Sequence, residues 1–227
     1  MANVFLIVEG ATEEQFYGKV LQDYFVSTDG TYRHYFQVVQ MPHIKNDHRR
    51  MHKGGAISFE RSVVQVRRFL HSATHAQRVF LVYDYYGLHP SFTEHILGAD
   101  LAFEQKIQSI VERFESEIND IRFSFRLQVH EFESLLFAAP DVIADHFNQP
   151  NHQATLEAMV AEAGGNPERI NNNRATAPSK RLKATFSGYG KVVDGITLAR
   201  KIGVDQMRQR CAYFDQFCGA IEGLSGS

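Results

Sequence analysis

Two apolar runs, each cut off by an acidic residue, constrain this chain more than any other feature. Asn3 to Val8 is continuously apolar and stops at Glu9-Gly10, and Val79 to Tyr83 stops in the same way at Asp84. An unbroken apolar run suits a strand covered on both faces, the condition of a parallel sheet flanked by helices. Helical spacing follows each run. After the first, Thr12 and Gln15 form a capping-box signature, and Phe16, Val20, Leu21 and Tyr24 recur at helical intervals. A further strand is expected over Tyr35 to Gln40. Ser58 to Ala73 reads as a helix with Val63, Val66, Phe69 and Leu70 on one face. Asp100 to about Glu117 reads likewise, through Leu101, Ile107, Ile110, Val111 and Phe114.

From Ile121 to Val129 the pattern changes to strict alternation. Ile121, Phe123, Phe125, Leu127 and Val129 point one way, and Arg122, Ser124, Arg126 and Gln128 the other. Such a strand is expected at a sheet edge with one face in water. Helical spacing returns at Phe132, Leu135, Leu136 and Ala139, until Pro140 stops or redirects the helix. Further helices are expected at Ala154 to Ala163, Val193 to Ile202 and Asp205 to Ile221, with an exposed Asn-rich and basic loop from Asn171 to Lys191. The expectation is thus an α/β core over residues 1–140, its mostly parallel, Rossmann-like sheet flanked by helices, and a helical C-terminal extension over 141–227 packed on that core as one unit.

Composition sets the outer limits. Of 227 residues 44% are hydrophobic and 22% charged, ordinary values for a folded chain. A formal net charge of -2 supplies no overall drive toward a polyanion, so contact with nucleic acid has to come from a local basic patch. The N-terminal run lacks the basic flank of a secretory signal, and no apolar stretch reaches membrane-spanning length. A cytoplasmic protein with no membrane partner is expected. Cys211 and Cys218, seven residues apart on a helical pattern, would lie about 10 Å apart, too far for a disulfide.

Glu9 and Asp84, ending parallel-type strands, fall at the carboxyl edge of the sheet, where open α/β folds bind ligands. Carboxylates there suit a hard divalent cation, although they serve equally well to orient their own loops. Lys180, Arg181, Lys183 and Lys191 form a cationic group suited to backbone phosphates, or simply to water. His130 can act as a base, a phosphate ligand or a loop-fixing donor. His43, His48 and His52, in a loop that also carries Lys45, Arg49, Arg50 and Lys53, match no zinc spacing. Neither a dinucleotide-binding GxGxxG nor a phosphate-loop GxxxxGK[ST] segment is present.

VEGATEEQF, at Val8 to Phe16, resembles the first motif of Toprim domains, and VYDYYG, at Val82 to Gly87, resembles the second. Together with HEFESLLF, PSKRL, the later GYGK and MRQRCAYF, they resemble a Toprim-related domain-of-unknown-function family, DUF4276, over nearly the whole chain. Its members are often encoded beside AAA-type ATPases in prokaryotic defence loci. The resemblance implies a Toprim-like core of the overcoming-lysogenization-defect nuclease type and phosphodiester chemistry dependent on Mg²⁺ or Mn²⁺. Glu9 then takes the place of the first-motif Glu and Asp84 that of the first Asp of Asp-x-Asp, while Tyr86 stands where the second Asp would be. Glu131, at the junction of strand and helix, is the candidate replacement ligand. Glu133 would diverge from it by about 200° in a helix. Lys180, Arg181, Lys191 and His130 become substrate-binding candidates. Two readings follow: a nuclease acting on nucleic acid, or a non-catalytic metal- or nucleotide-binding partner of an AAA-type ATPase, which Tyr86 favours.

Overall fold

The computed structural model describes residues 2–26, 30, 33–41, 57–170 and 176–226. The loop bearing His43, His48 and His52 and the first residues of the Asn-rich segment lie outside them. Four strands, β1 Ala2–Val8, β2 His34–Gln40, β3 Arg78–Asp84 and β4 Phe123–Gln128, form one sheet in the order β2-β1-β3-β4. Every pairing is parallel, with Val8 opposite both Gln40 and Val82, and Asp84 opposite Gln128. Helix α1 Ala11–Gln15 passes through a π-helical segment, Phe16–Leu21, into α2 Gln22–Tyr24. Helices α3 Phe59–Ser72 and α4 Phe103–Ile118 complete the crossovers. Among the described residues after β4 come a 3₁₀ helix, Phe132–Ala138, and then, with short 3₁₀ turns between them, the α-helices α5 Pro140–His146, α6 Gln153–Glu162, α7 Pro178–Thr185, α8 Val193–Ile202, α9 Val204–Arg210 and α10 Ala212–Glu222. The fold is Rossmann-like α/β with C-terminal helices.

The two central strands, β1 and β3, are buried on both faces, as their unbroken apolar sequence requires. Val4, Leu6 and Val8, with Phe80 and Val82, pack against the π-helical segment and the C-terminal helices through Phe16, Leu21, Met207 and Phe217. Phe5 and Ile7, with Leu81 and Tyr83, pack against α3 and α4 through Val66, Ile110 and Phe114. Full burial of such a side chain stabilises by roughly 1.5–3 kcal/mol, so each layer is held firmly. The first core joins residues before and after position 140.

Several local expectations are corrected. Thr12 is not an N-cap: the chain turns at once after β1, Gly10 caps α1 without a side-chain hydrogen bond, and Thr12 is buried inside the first turn. β4 is an edge strand, but its polar face is not solvated. Ser124 and Gln128 are buried, because the C-terminal helices return to cover that face, with Phe217 edge-on to Phe80 at 5.3 Å. Ile121, assigned inward, precedes the strand and is exposed. Pro140 both closes the 3₁₀ helix and starts α5 as a first-turn proline. The basic loop contains α7, so Lys180 and Arg181 are helical.

The helix expected over Asp205 to Ile221 is broken at Cys211 (φ -127°, ψ 92°). Fully buried Glu168 explains the break, since its carboxylate accepts the Tyr213 and Phe214 amides at 2.9 and 3.1 Å, bonds a continuous helix would have made to its own carbonyls. Both cysteines are free and buried. Burial raises the Glu168 carboxyl to about 7 in spite of the two amides. A folded-state pKa above the unfolded one gives stability that is present at low pH and lost as pH rises between about 4.5 and 7, by up to roughly 1.4 kcal/mol per pH unit. Unfolding free energies from urea titrations at pH 5, 6 and 7 should therefore fall less steeply in Glu168→Gln than in the wild type. Equal slopes would remove Glu168 as the titrating group.

Candidate functional site

Successive strands leave β1 in opposite directions, β2 to one side and β3 to the other, so the crevice of this sheet opens beyond the carboxyl ends of β1 and β3. Glu9 follows β1 and Asp84 ends β3, which places the two acids side by side at that crevice. Two further carboxylates join them. Glu13, in the first turn of α1, is buried, and Glu133, in the 3₁₀ helix after β4, is fully so. Lys191, just before α8, sets its ammonium 3.3 Å from Glu133 Oε2 and 3.7 Å from Glu13 Oε1. The Tyr189 hydroxyl donates to Glu133 Oε1 at 3.4 Å, while Oε2 takes no hydrogen bond.

The electrostatics follow from burying four carboxylates beside one ammonium. Burial, then Glu13, pushes the Asp84 carboxyl well above its ordinary range, with Lys191 opposing. Burial and Glu13 raise Glu9 as well, against the Asp84 main-chain amide that bonds to it. Glu133 is raised by burial and partly relieved by Lys191. Burial works against the charge of Lys191, but Glu133, Asp84 and Glu13 outweigh it and hold the ammonium above the usual lysine range. Two glycines make room for this cluster. A Cβ on Gly87 would stand 2.9 Å from Glu9 Oε2, and one on Gly10 2.8 Å from Glu13 Oε2.

The remaining sequence candidates surround this group in different ways. Glu131 is extended (φ -150°) and turns its Oε2 to the Ser179 amide at 3.1 Å, capping the start of α7. The inward position expected of it belongs to Glu133. This follows because the helical turn begins only after Glu131, which leaves Glu131 aimed at a neighbouring helix. Lys180 is exposed in the first turn of α7, and Arg181 donates its Nε–H to the Thr176 carbonyl at 3.0 Å. His130 has φ 65° and stacks on Tyr86, with ring centres 4.6 Å apart and planes 19° apart, beside Phe103. Burial lowers its pKa to about 4, so the ring is neutral at physiological pH, and its buried Nδ1 has no hydrogen-bond partner. Tyr86 thus packs in an aromatic stack with His130 and Tyr85.

Among the described residues no group of three or more His, Cys, Asp or Glu is arranged to hold a metal ion as it stands. The donor types nevertheless fit a hard divalent cation: all are carboxylates, Glu133 Oε2 is met by the Lys191 ammonium without a well-formed hydrogen bond, and four acids share that one ammonium. Glu13 and Glu133 are the members that periodicity undervalued. The first resembles an ordinary first-turn acid, and the second reveals its direction only once the backbone at Glu131 is known.

An all-parallel sheet with acids gathered at its switch point defines an α/β protein with a polar site at the carboxyl edge of its strands. The chain belongs to the family described as Domain of unknown function (DUF4276), whose model matches residues 8–222 and so runs through both the sheet and the C-terminal helices. No curated protein and no solved structure matches it. Among the described residues no helix is long and apolar enough to cross a membrane.

Lys191 is 35% exposed, so its removal should cost less than the loss of a fully buried partner, roughly 1–3 kcal/mol at pH 8. Raised acids stabilise in their protonated forms and lose that stability as pH rises, and without the ammonium they are raised further. Lys191→Met should accordingly be near wild type at pH 5 and clearly weaker at pH 8 in urea unfolding. A pH-independent difference would contradict the cluster's electrostatics.

Proposed function

We propose that this protein is a divalent-cation-dependent phosphodiesterase of the nuclease type, acting on nucleic acid as its Toprim-like motifs imply. The observation that supports this most is the gathering of Glu9, Asp84, Glu13 and Glu133 at the switch point, with more negative charge than Lys191 balances. Glu9, Asp84 and Glu133 would hold Mg²⁺ or Mn²⁺, and the ion, when bound, would neutralise phosphate oxygens and lower the pKa of a bound water. The chain's own groups do the rest. Lys191 would meet a non-bridging phosphate oxygen, with Tyr189 fixing the Glu133 carboxylate against which it leans. Glu131 anchors α7, so that Lys180 and Arg181 can steady neighbouring phosphates along the strand. Neutral His130 supports Tyr86 by stacking and carries no charge to the substrate.

A second reading rests on two observations: Lys191 already acts as an internal cation among the acids, and Tyr86 is engaged in the stack. On that reading the site is retained without catalysis, in a partner subunit of an AAA-type ATPase. Cleavage of supercoiled DNA, single-stranded DNA and RNA in Mg²⁺ or Mn²⁺, with and without the ATPase, separates the two. The nuclease reading expects wild-type cleavage that falls by about 10²-fold or more in Glu9→Gln and Glu133→Gln and falls little in Glu131→Gln. The partner reading expects an inactive wild type even with the ATPase. If Tyr86→Asp alone gains activity, the site is a degenerate one that lost its second carboxylate.

A further inference from the structure

A groove of about 380 Å³ runs along the free edge of β4, between α4 and α10. Its floor is four consecutive residues, Phe125 to Gln128, and its walls are Ile107 and Val111 on one side and Tyr213 and Phe217 on the other. The volume lies within the range of small-molecule sites, and apolar walls with a few polar groups are their usual lining. Among its polar groups, Gln108 and Gln216 bring exposed amides to the rim, the former donating to Glu112 at 2.7 Å, and Arg126 lies in the floor beside Gln128.

Arg126 is the unusual member. Its Nε is buried and has no hydrogen-bond partner, although a buried donor left unpaired is costly. The charge near it is only partly answered: Glu115, the nearby acid, bonds to the Phe125 amide at 2.8 Å, and Arg78 on the adjacent strand adds a second cation. Burial, opposed by Glu115, lowers the Arg126 pKa, as expected of a cation lacking a close counter-ion. The acid in the groove lining, Glu104, is already paired with Arg169. The groove therefore combines apolar walls, glutamine amides at its rim and, in its lining, the guanidinium of Arg126, whose charge is only partly answered.

We propose that this groove binds a mononucleotide unit, with the base between the α4 and α10 walls, the glutamine amides at the base edge and the phosphate on Arg126. A flat ring fills a narrow apolar slot and gains by stacking on Tyr213 or Phe217. The guanidinium is the group that best matches phosphate oxygens, by paired N–H donors. The unit can come from a free nucleotide or from the end of a strand, and the binding chemistry is shared. Binding of this kind needs no metal, so it can be tested with cations removed.

The experiment is calorimetric titration of the full chain, in EDTA, with AMP, GMP, CMP and UMP, with the matching nucleosides, with inorganic phosphate, and with short 5′-phosphorylated oligonucleotides. At least one monophosphate should bind about tenfold or more tighter than both its nucleoside and phosphate. Arg126→Gln should reduce it to the nucleoside level, and Val111→Trp, which fills the slot and leaves the guanidinium in place, should abolish it. Melting curves identify which variants are folded, and either folded variant suffices. Tighter binding by the oligonucleotide assigns the site to a strand end, and equal or weaker binding to a free nucleotide. The proposal is overturned if no monophosphate or oligonucleotide binds better than phosphate, or if binding is unchanged in a folded Arg126→Gln or Val111→Trp protein.

Discussion

Four carboxylates beside one ammonium is the constraint around which the carboxyl edge of this sheet is arranged. Opposite charges about 4 Å apart attract by roughly 4 kcal/mol at an effective dielectric of about 20, and like charges repel as strongly. With Lys191 at 3.3 and 3.7 Å from two of the acids, the ammonium offsets only part of that repulsion, and Glu9, Asp84 and Glu133 keep raised pKa values as a result. A structural ion pair has no need of so many acids. The excess is what makes the site a place for a further cation, or for protons, and it connects the fold to the proposed chemistry.

The surroundings serve to hold these groups in position. Parallel pairing of β1 with β3, with Val8 opposite Val82, brings Glu9 to the end of β3 within reach of the Asp84 main-chain amide, and Gly87 lets the following turn lie against the Glu9 carboxylate. The C-terminal helices contribute as directly as the sheet does. The Gly190 amide donates to Asp194 Oδ2 at 2.6 Å, and His146 Nε2–H donates to Asp194 Oδ1 at 3.1 Å, which fixes the turn that delivers Lys191. Residues after position 140 are therefore part of the site, and the family match across both regions agrees with this.

Much of the framework was legible in the sequence because the signals were local. Unbroken apolar runs gave β1 and β3 nearly to the residue, and amphipathic spacing gave α3, α4 and α8. Glu9 and Asp84 were legible for the same reason, as the acids that end those runs. What could not be read depended on distant parts of the chain. The polar face of β4 looked solvated because its cover, α10, lies about 90 residues downstream. The break at Cys211 depends on Glu168, more than 40 residues earlier. Glu133 rather than Glu131 turns inward because of a single extended residue ahead of a 3₁₀ turn, a detail that periodicity does not carry.

The central claim is that the acidic cluster is an incompletely neutralised site for a divalent cation. Its most direct test is calorimetric titration of Mn²⁺ at pH 7 in two buffers with different ionisation enthalpies. Carboxyls whose pKa values are raised by burial and by one another take up protons more readily than free ones, so a bound cation should displace protons, and the apparent enthalpy should differ between buffers. Glu9→Gln/Asp84→Asn should lose both the binding and the proton release while remaining folded. Binding that is absent from the wild type, or unchanged in the folded double variant, would contradict the account.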